Sequence, residues 1–242
     1  MHFGRGNPCK TCGLIKTSFR NSDDAALFPY NIPENCLLVS TFKLLKECFN
    51  DEFIDKQLKI KFESVQNDVD DIINTVEKAI YDYGVITDTK NGEKYFAFEV
   101  DGYGNYYFMD EPGYPNLISL PFFKFCSSSN EIYINTRKRI LSERNPYFIK
   151  GKCGIGCSSS HSYRRYIWPL FTIMQGLTSN DEEEIKNCLK MLVQSAGDKY
   201  FMHESYDVDD ANKFTREWFA WANSFFGVFI DDIIQKYPKL VF

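Results

Sequence analysis

The chain has 242 residues, with 28 Lys+Arg against 33 Asp+Glu, a net charge of −5 and a sequence pI near 5.3. That balance argues against a nucleic-acid or anionic-lipid surface, which needs clustered Lys and Arg. Hydrophobic residues at 44% and charged residues at 25% describe a globular chain, with no apolar run long enough for a transmembrane helix.

Residues 1–34 show no apolar periodicity and read as an irregular segment carrying "FRNSDD" and "FPYNIPEN". The start, MHFGRGNPCK, lacks the apolar core of a signal peptide, so the default expectation is a cytoplasmic chain. From Asn35 the pattern turns helical, with Leu38, Phe42, Leu45 and Phe49 on one face. Phe62, Val65, Val69, Ile72, Val76 and Ile80 predict a second, longer helix that Gly84 ends. In "YFAFEVDGYGNYYFM", residues 95–109, aromatic and β-branched residues flank Asp101-Gly102-Tyr103-Gly104-Asn105, a β-hairpin signature.

Three prolines in "MDEPGYPNLISLPFF" then break regular structure before a short helix, and four more helices follow. They are expected over about 130–143, about 165–178, from the capping-box pattern Ser179-x-x-Glu182 to Gly197, and about 210–237. The last carries Phe214, Trp218, Trp221 and Phe225 in one stripe. Phe219, Ala222, Phe226, Ile230 and Ile233 form a second, so it needs cover on more than one side. The expectation is one mainly α domain over 1–242, with six or seven helices and one hairpin.

Eight cysteines are scattered. Cys36, Cys48 and Cys188 fall among apolar residues and read as core thiols. Cys9-x-x-Cys12 and Cys153-x-x-x-Cys157, with His161 nearby, hold zinc-type ligands, but the two pairs lie much farther apart than in zinc knuckles. No metal site is expected.

The polar knots fall between helices, where loops on a rigid scaffold carry function. Their carboxylates are Asp23, Asp24, Glu99, Asp101, Asp110, Glu111 and Glu204. Paired carboxylates among aromatic rings suit glycoside hydrolysis, one donating a proton to the leaving oxygen and one activating water. Trp168, Trp218, Trp221 and Tyr166 are candidate sugar-stacking rings. Each knot also has a plain structural reading. Asp23-Asp24 suits a helix N-cap, Asp101-Gly102 a turn, and Glu204 a cap or a partner for Arg216.

Five stretches run in order: "SFRNSDDAALFPYNIPEN", "FEVDGYGNYYFMDEPGYPNLISLPFF", "YINTRKRILSERNPYFIKGK", "IWPLFTIMQGLTSNDEEEI" and "FMHESYDVDDANKFTREWFAWANSFFG". Together they resemble the motifs of glycoside hydrolase family 125, exo-acting α-mannosidases that cleave α-1,6-linked mannose. The resemblance implies an (α/α)6 barrel and an inverting, metal-independent mechanism without a cofactor, acting on a mannose-containing oligosaccharide or glycan. It carries the acid to Arg20-Asn21-Ser22-Asp23-Asp24, leaving Asp23 and Asp24 both open, and the base to Glu204 in Met-His-Glu-Ser. An inverting pair needs its carboxyls roughly 6.5–9.5 Å apart. Arg20, Asp101, Asn105, Asp110, His161, Trp168 and His203 become expected sugar-binding or supporting groups.

Departures from the family pattern cluster around the same loops. Asn21 replaces proline. The family's Met-Asp-Asp-Ala-Asn-Val-Pro is here Met109-Asp110-Glu111-Pro112-Gly113-Tyr114-Pro115. Serines replace Gly and Pro between Cys157 and His161, and Arg164-Arg165 stands in place of small or apolar residues. The match begins near Gly13 and covers the C-terminal part of the family's length, about half of the helices of a closed ring. The expectation is therefore an incomplete barrel, with an exposed apolar face prone to self-association and poor or absent turnover. A non-catalytic carbohydrate- or partner-binding protein on the same scaffold is the alternative.

Overall fold

The computed structural model describes residues 6–50 and 53–240. Seven helices and ten short strands alternate along these residues. The N-terminal stretch is irregular up to a two-residue strand β1 (Tyr30–Asn31), with one isolated bridge between Phe19 and Ala25. Helix α1 (Ile32–Phe49) starts three residues before the sequence pattern does. Asn31 caps it, its side chain accepting from the Glu34 N–H at 3.0 Å, and Pro33 occupies the first turn. Its buried face is Ile32, Cys36 and Val39, while Leu44 and Leu45 are exposed.

The long second helix expected from Phe62 to Ile80 is two helices, α2 (Lys56–Glu63) and α3 (Gln66–Tyr83). The break falls at Ser64-Val65, where Ser64 Oγ donates to the Lys61 carbonyl at 2.7 Å. Helix α2 buries none of its residues. Helix α3 packs on α1 through Val69, Ile73, Val76, Ala79 and Ile80 and stops at Gly84.

Strands β2 (Val85–Thr87) and β3 (Lys94–Phe96) pair, then β4 (Glu99–Val100) and β5 (Tyr106–Tyr107) form the expected hairpin. β1 adds to β4, giving the order β1-β4-β5. Residues 118–124 are a run of turns, and among the described residues no α-helix lies between β5 and Glu131, where a short helix was expected after the prolines. After α4 (Glu131–Ile140), a second hairpin joins β6 (Phe148–Gly151) to β7 (Gly154–Cys157). A third sheet has the order β10-β9-β8, from β8 (Tyr166–Ile167), β9 (Ser205–Asp207) and β10 (Asp210–Thr215). So four small sheets stand where one hairpin was expected.

Helix α5 (Pro169–Leu177) is buried over most of its length and packs against α6 (Glu182–Ser195) and α7 (Ala220–Lys236). Asp181, two residues beyond the expected Ser179, caps α6 through the Glu183 N–H. The last helix starts ten residues later than its pattern suggested: residues 210–215 are strand β10. One core gathers α1, α3, the β3–β5 region and the 109–125 segment. A second gathers Ile173, Ile185, Leu192, Phe229 and Ile233 between α5, α6 and α7. Cys36 and Cys188 are buried as expected, but Cys48 is exposed at the end of α1. Among the described residues no helix is long and apolar enough to cross a membrane.

Candidate active site

The segment Met202-His203-Glu204 enters the site as the lead-in to β9, the middle strand of its sheet. The Glu204 N–H donates to the carbonyls of Thr215 at 3.2 Å and Arg216 at 3.4 Å, fixing its backbone beside the end of β10. Asn223, on the first turn of α7, clamps the same segment: its amide accepts from Met202 N at 3.1 Å and donates to Met202 O at 2.8 Å. The Glu204 side chain meets Arg216 Nε at 3.2 Å. Arg216 itself has φ of 44°, a left-handed conformation costly for a residue with a Cβ, and lies over the Phe219 ring.

His203, expected to bind or support sugar, is not part of the cleft lining. Its ring stacks on Phe214 at 3.9 Å and 7°, and Nδ1 donates to the Glu217 carbonyl at 2.6 Å. Burial holds it below the usual histidine range, against that hydrogen bond.

The 20–24 loop is held from beneath. Arg20 is buried and gives Nε to Glu99 at 2.6 Å, with Glu111 at 4.0 Å. Burial opposes its charge, but the two carboxylates outweigh it and raise the guanidinium above its ordinary value. Glu99 also accepts the N–H groups of Leu27 and Phe28, at 2.8 and 3.0 Å. Ser22 Oγ approaches Glu111 at 3.4 Å. Burial, then the charges of Asp24 and Glu99, push Glu111 up to about 7, against Arg20 and Ser22. Glu34 is likewise pushed to about 7 by burial and Glu99, while the Asn21 N–H pulls it down.

On this support Asp23 adopts φ of 66° and is exposed, whereas Asp24 accepts Ser160 Oγ at 3.1 Å and lies 3.8 Å from His161 Nδ1. Ser160 is one of the residues that departs from the family pattern. It ties the 20–24 loop to the loop before β8.

These pieces enclose a cleft of about 140 Å³ lined by Asn21, Ser22, Asp23, Pro112, Gly113, Ser159, His161, Trp168, Glu204, Arg216, Phe219 and Trp221. Trp168 Nε1 donates to Ser162 Oγ at 2.8 Å, and its ring meets Phe219 edge-on. The structure thus brings Asp23, Glu204, His161 and Trp168 together. Arg20 lies buried behind the 20–24 loop. Asp101 and Asn105 bond each other at 2.7 Å in the β4–β5 turn, outside the cleft lining. Asp110 is wholly buried. Its oxygens take the Leu117 and Ile118 N–H groups, and burial pushes its carboxyl well up. Trp218 is exposed and Tyr166 sits in β8, both away from the cleft lining. Arg216, Phe219, Ser159 and Gly113 line the cleft without having been singled out as site residues. The possible Arg216–Glu204 pair was the only hint, because residues 210–219 read as the start of the last helix.

Cys157 is buried and donates to the Asp110 carbonyl at 3.2 Å. Among the described residues no group of three or more His, Cys, Asp or Glu could hold a metal ion.

A family model described as metal-independent alpha-mannosidase matches residues 1–231. The chain belongs to glycoside hydrolase family 125. It is 38% identical over 240 residues to the meiotically up-regulated gene 157 protein of Schizosaccharomyces pombe, covering 98% of this chain and 45% of that protein. It also superposes on a Streptococcus pneumoniae structure with a TM-score of 0.88 and 38% identity, covering 96% of this chain and 53% of that one. That structure is described as a metal-independent α-mannosidase in a non-productive complex with α-1,6-mannobiose. This family 125 chain spans about half the length of the relatives it matches.

Proposed function

We infer that the cleft is a mannoside site of the family 125 kind, acting on terminal α-1,6-linked mannose by inversion. The observation that carries this reading is the meeting of Asp23 and Glu204, from distant parts of the chain, in one cleft with Trp168 and Trp221. Glu204 serves as general base, drawing a proton from the attacking water. Asp23 is the acid: it lines the cleft, while Asp24 is engaged by Ser160 and orders the loop. Arg216 holds the Glu204 carboxylate in place. Trp168, Trp221 and Phe219 offer apolar faces to sugar rings, and His161 and Ser159 offer polar groups to hydroxyls.

The seven helices read as part of an (α/α)6 ring. Support comes from the superposition of nearly the whole chain on 53% of the S. pneumoniae mannosidase chain. Large apolar residues are exposed on its outer helices, among them Leu58, Ile60, Val228 and Ile234. That surface suits self-association.

The alternative reading is carbohydrate binding without turnover. The small cleft and the partial coverage of the relatives favour it, because contacts that orient a substrate contribute much of the rate. Incubation with α-1,6-mannobiose, followed by proton NMR, separates the two. Release of mannose, first as the β-anomer, and its loss in Glu204→Gln support the hydrolase. Saturable binding without release supports the binding protein. Neither binding nor release defeats both.

A further inference from the structure

The two walls of the cleft meet at Asn21 and Gly113, residues far apart in sequence. Asn21 Nδ2 reaches across and donates to the Pro115 carbonyl at 2.8 Å. Its Oδ1 is buried and lacks a hydrogen-bond partner. A methyl group added at Gly113 would overlap Asn21 Oδ1 and sit 3.0 Å from its Cγ. The Asn21 carboxamide therefore fills the space into which any side chain at 113 would project. Gly113 has no left-handed φ, so its backbone gives no reason for glycine. Packing against Asn21 is the reason that remains.

The family pattern has proline at the first of these positions and asparagine at the second. Here the asparagine is on the 20–24 loop and the opposite wall is bare. A proline at 21 carries no amide, and an asparagine at 113 does not fit beside Asn21.

Asn21 lies between two anchors that pull downward, Arg20 on Glu99 and Ser22 on Glu111. Of these three consecutive side chains it is the one that bonds the backbone of the 111–115 segment, Arg20 and Ser22 reaching the Glu111 carboxylate instead. Asp23 follows two residues later in a strained backbone conformation that its surroundings must impose. We propose that Asn21, seated against Gly113, is a positioning residue that fixes the distance of Asp23 from the Glu204 wall. This rests on the mannoside reading of the cleft. Filling the Gly113 space expels the amide, breaks the bond to Pro115 and frees the Asp23 wall.

The test is a double-mutant cycle with Asn21→Ala, Gly113→Ala and the pair, read on α-1,6-mannobiose affinity, on the Asp23 backbone amide resonance and on melting temperature. Gly113→Ala should weaken affinity about tenfold when Asn21 is present and by less than about twofold in the Asn21→Ala background, with melting temperatures changed little. The exchanged pair Asn21→Pro with Gly113→Asn should recover affinity that Gly113→Asn alone loses. Additive losses, or no recovery in the exchanged pair, would overturn the proposal. If the wild-type chain binds no mannobiose, the mannoside reading fails separately. The coupling is then read on the Asp23 resonance, where non-additive shifts support it and additive shifts defeat it.

Discussion

Glu204 lines the cleft and Glu111 supports the 20–24 loop, and their surroundings assign them different work. Glu204 reaches the cleft and is steadied by Arg216 from one side. Replacing it with glutamine keeps the size and most of the polar contacts but removes the proton acceptor. Hydrolysis of α-1,6-mannobiose should fall at least about a hundredfold while the melting temperature stays within a few degrees. Wild-type rates from Glu204→Gln would make the residue structural.

Glu111 is buried, and in the folded chain its carboxyl is pushed up to about 7 from an ordinary 4.5. Folded protein therefore holds this proton across a range where the unfolded chain has lost it. The stability tied to that proton is complete below about 4.5 and disappears as pH rises through 7. Glu34 adds in the same direction. Thermal melting should drop between pH 5 and 8, and Glu111→Gln should flatten much of that drop. A melting temperature that climbs over this range in the wild-type chain would contradict the burial argument.

Among the elements, α5 and α7 pack closely where they cross. A Cβ on Gly176 would stand 2.6 Å from Phe229 Cε2, with the ring itself fully buried. Gly176→Ala should destabilise the chain by about 1–3 kcal/mol, the usual range for overpacking. Truncating Phe229 to alanine in the same chain should make the extra methyl harmless. Denaturant titration of the single and double variants checks this. A neutral Gly176→Ala would mean that the helices can slide apart at no cost.

The same elements show what a sequence can and cannot announce. Helix α3 was legible because Val69, Val76 and Ile80 repeat on one face and Gly84 follows. The β4–β5 turn was legible because Asp101, two glycines and Asn105 are turn chemistry. Ser64 broke the second helix through a bond to its own backbone, which an apolar pattern does not register. Strand β10 was hidden because Phe214 and Trp218 continue the helical spacing of α7, yet Phe214 stacks on His203 across the sheet. Asp23, Glu204, His161 and Trp168 were readable as parts of compact motifs. Arg216 was visible only as a possible partner for Glu204, since its place at the cleft depends on that misread strand. The Glu99–Arg20–Glu111 support depends on tertiary contacts, and local sequence carries no signal for it.

At the scale of the whole molecule, the two cores share α5 and meet near Phe225, and the cleft opens where the loops of both halves converge. Helix α2 buries nothing, and α7 buries only Ala222, Phe229 and Ile233 of its 17 residues. Apolar surface is worth roughly 25 cal/mol per Å² on burial, and a folded domain has only about 5–15 kcal/mol in hand. The outer faces of α2 and α7 should therefore seek cover. Sedimentation velocity should show an average mass that rises with concentration, and a strict monomer at high concentration would contradict this.

The central claim, that the Asp23–Glu204 cleft is the mannoside site, is tested most directly by titrating the labelled chain with α-1,6-mannobiose and following backbone amide shifts. The account predicts saturable shifts concentrated at residues 21–24, 113, 159–161, 204 and 216–221. An absence of shifts, or shifts gathered instead in the wider groove between the β6–β7 hairpin and α6, would contradict it.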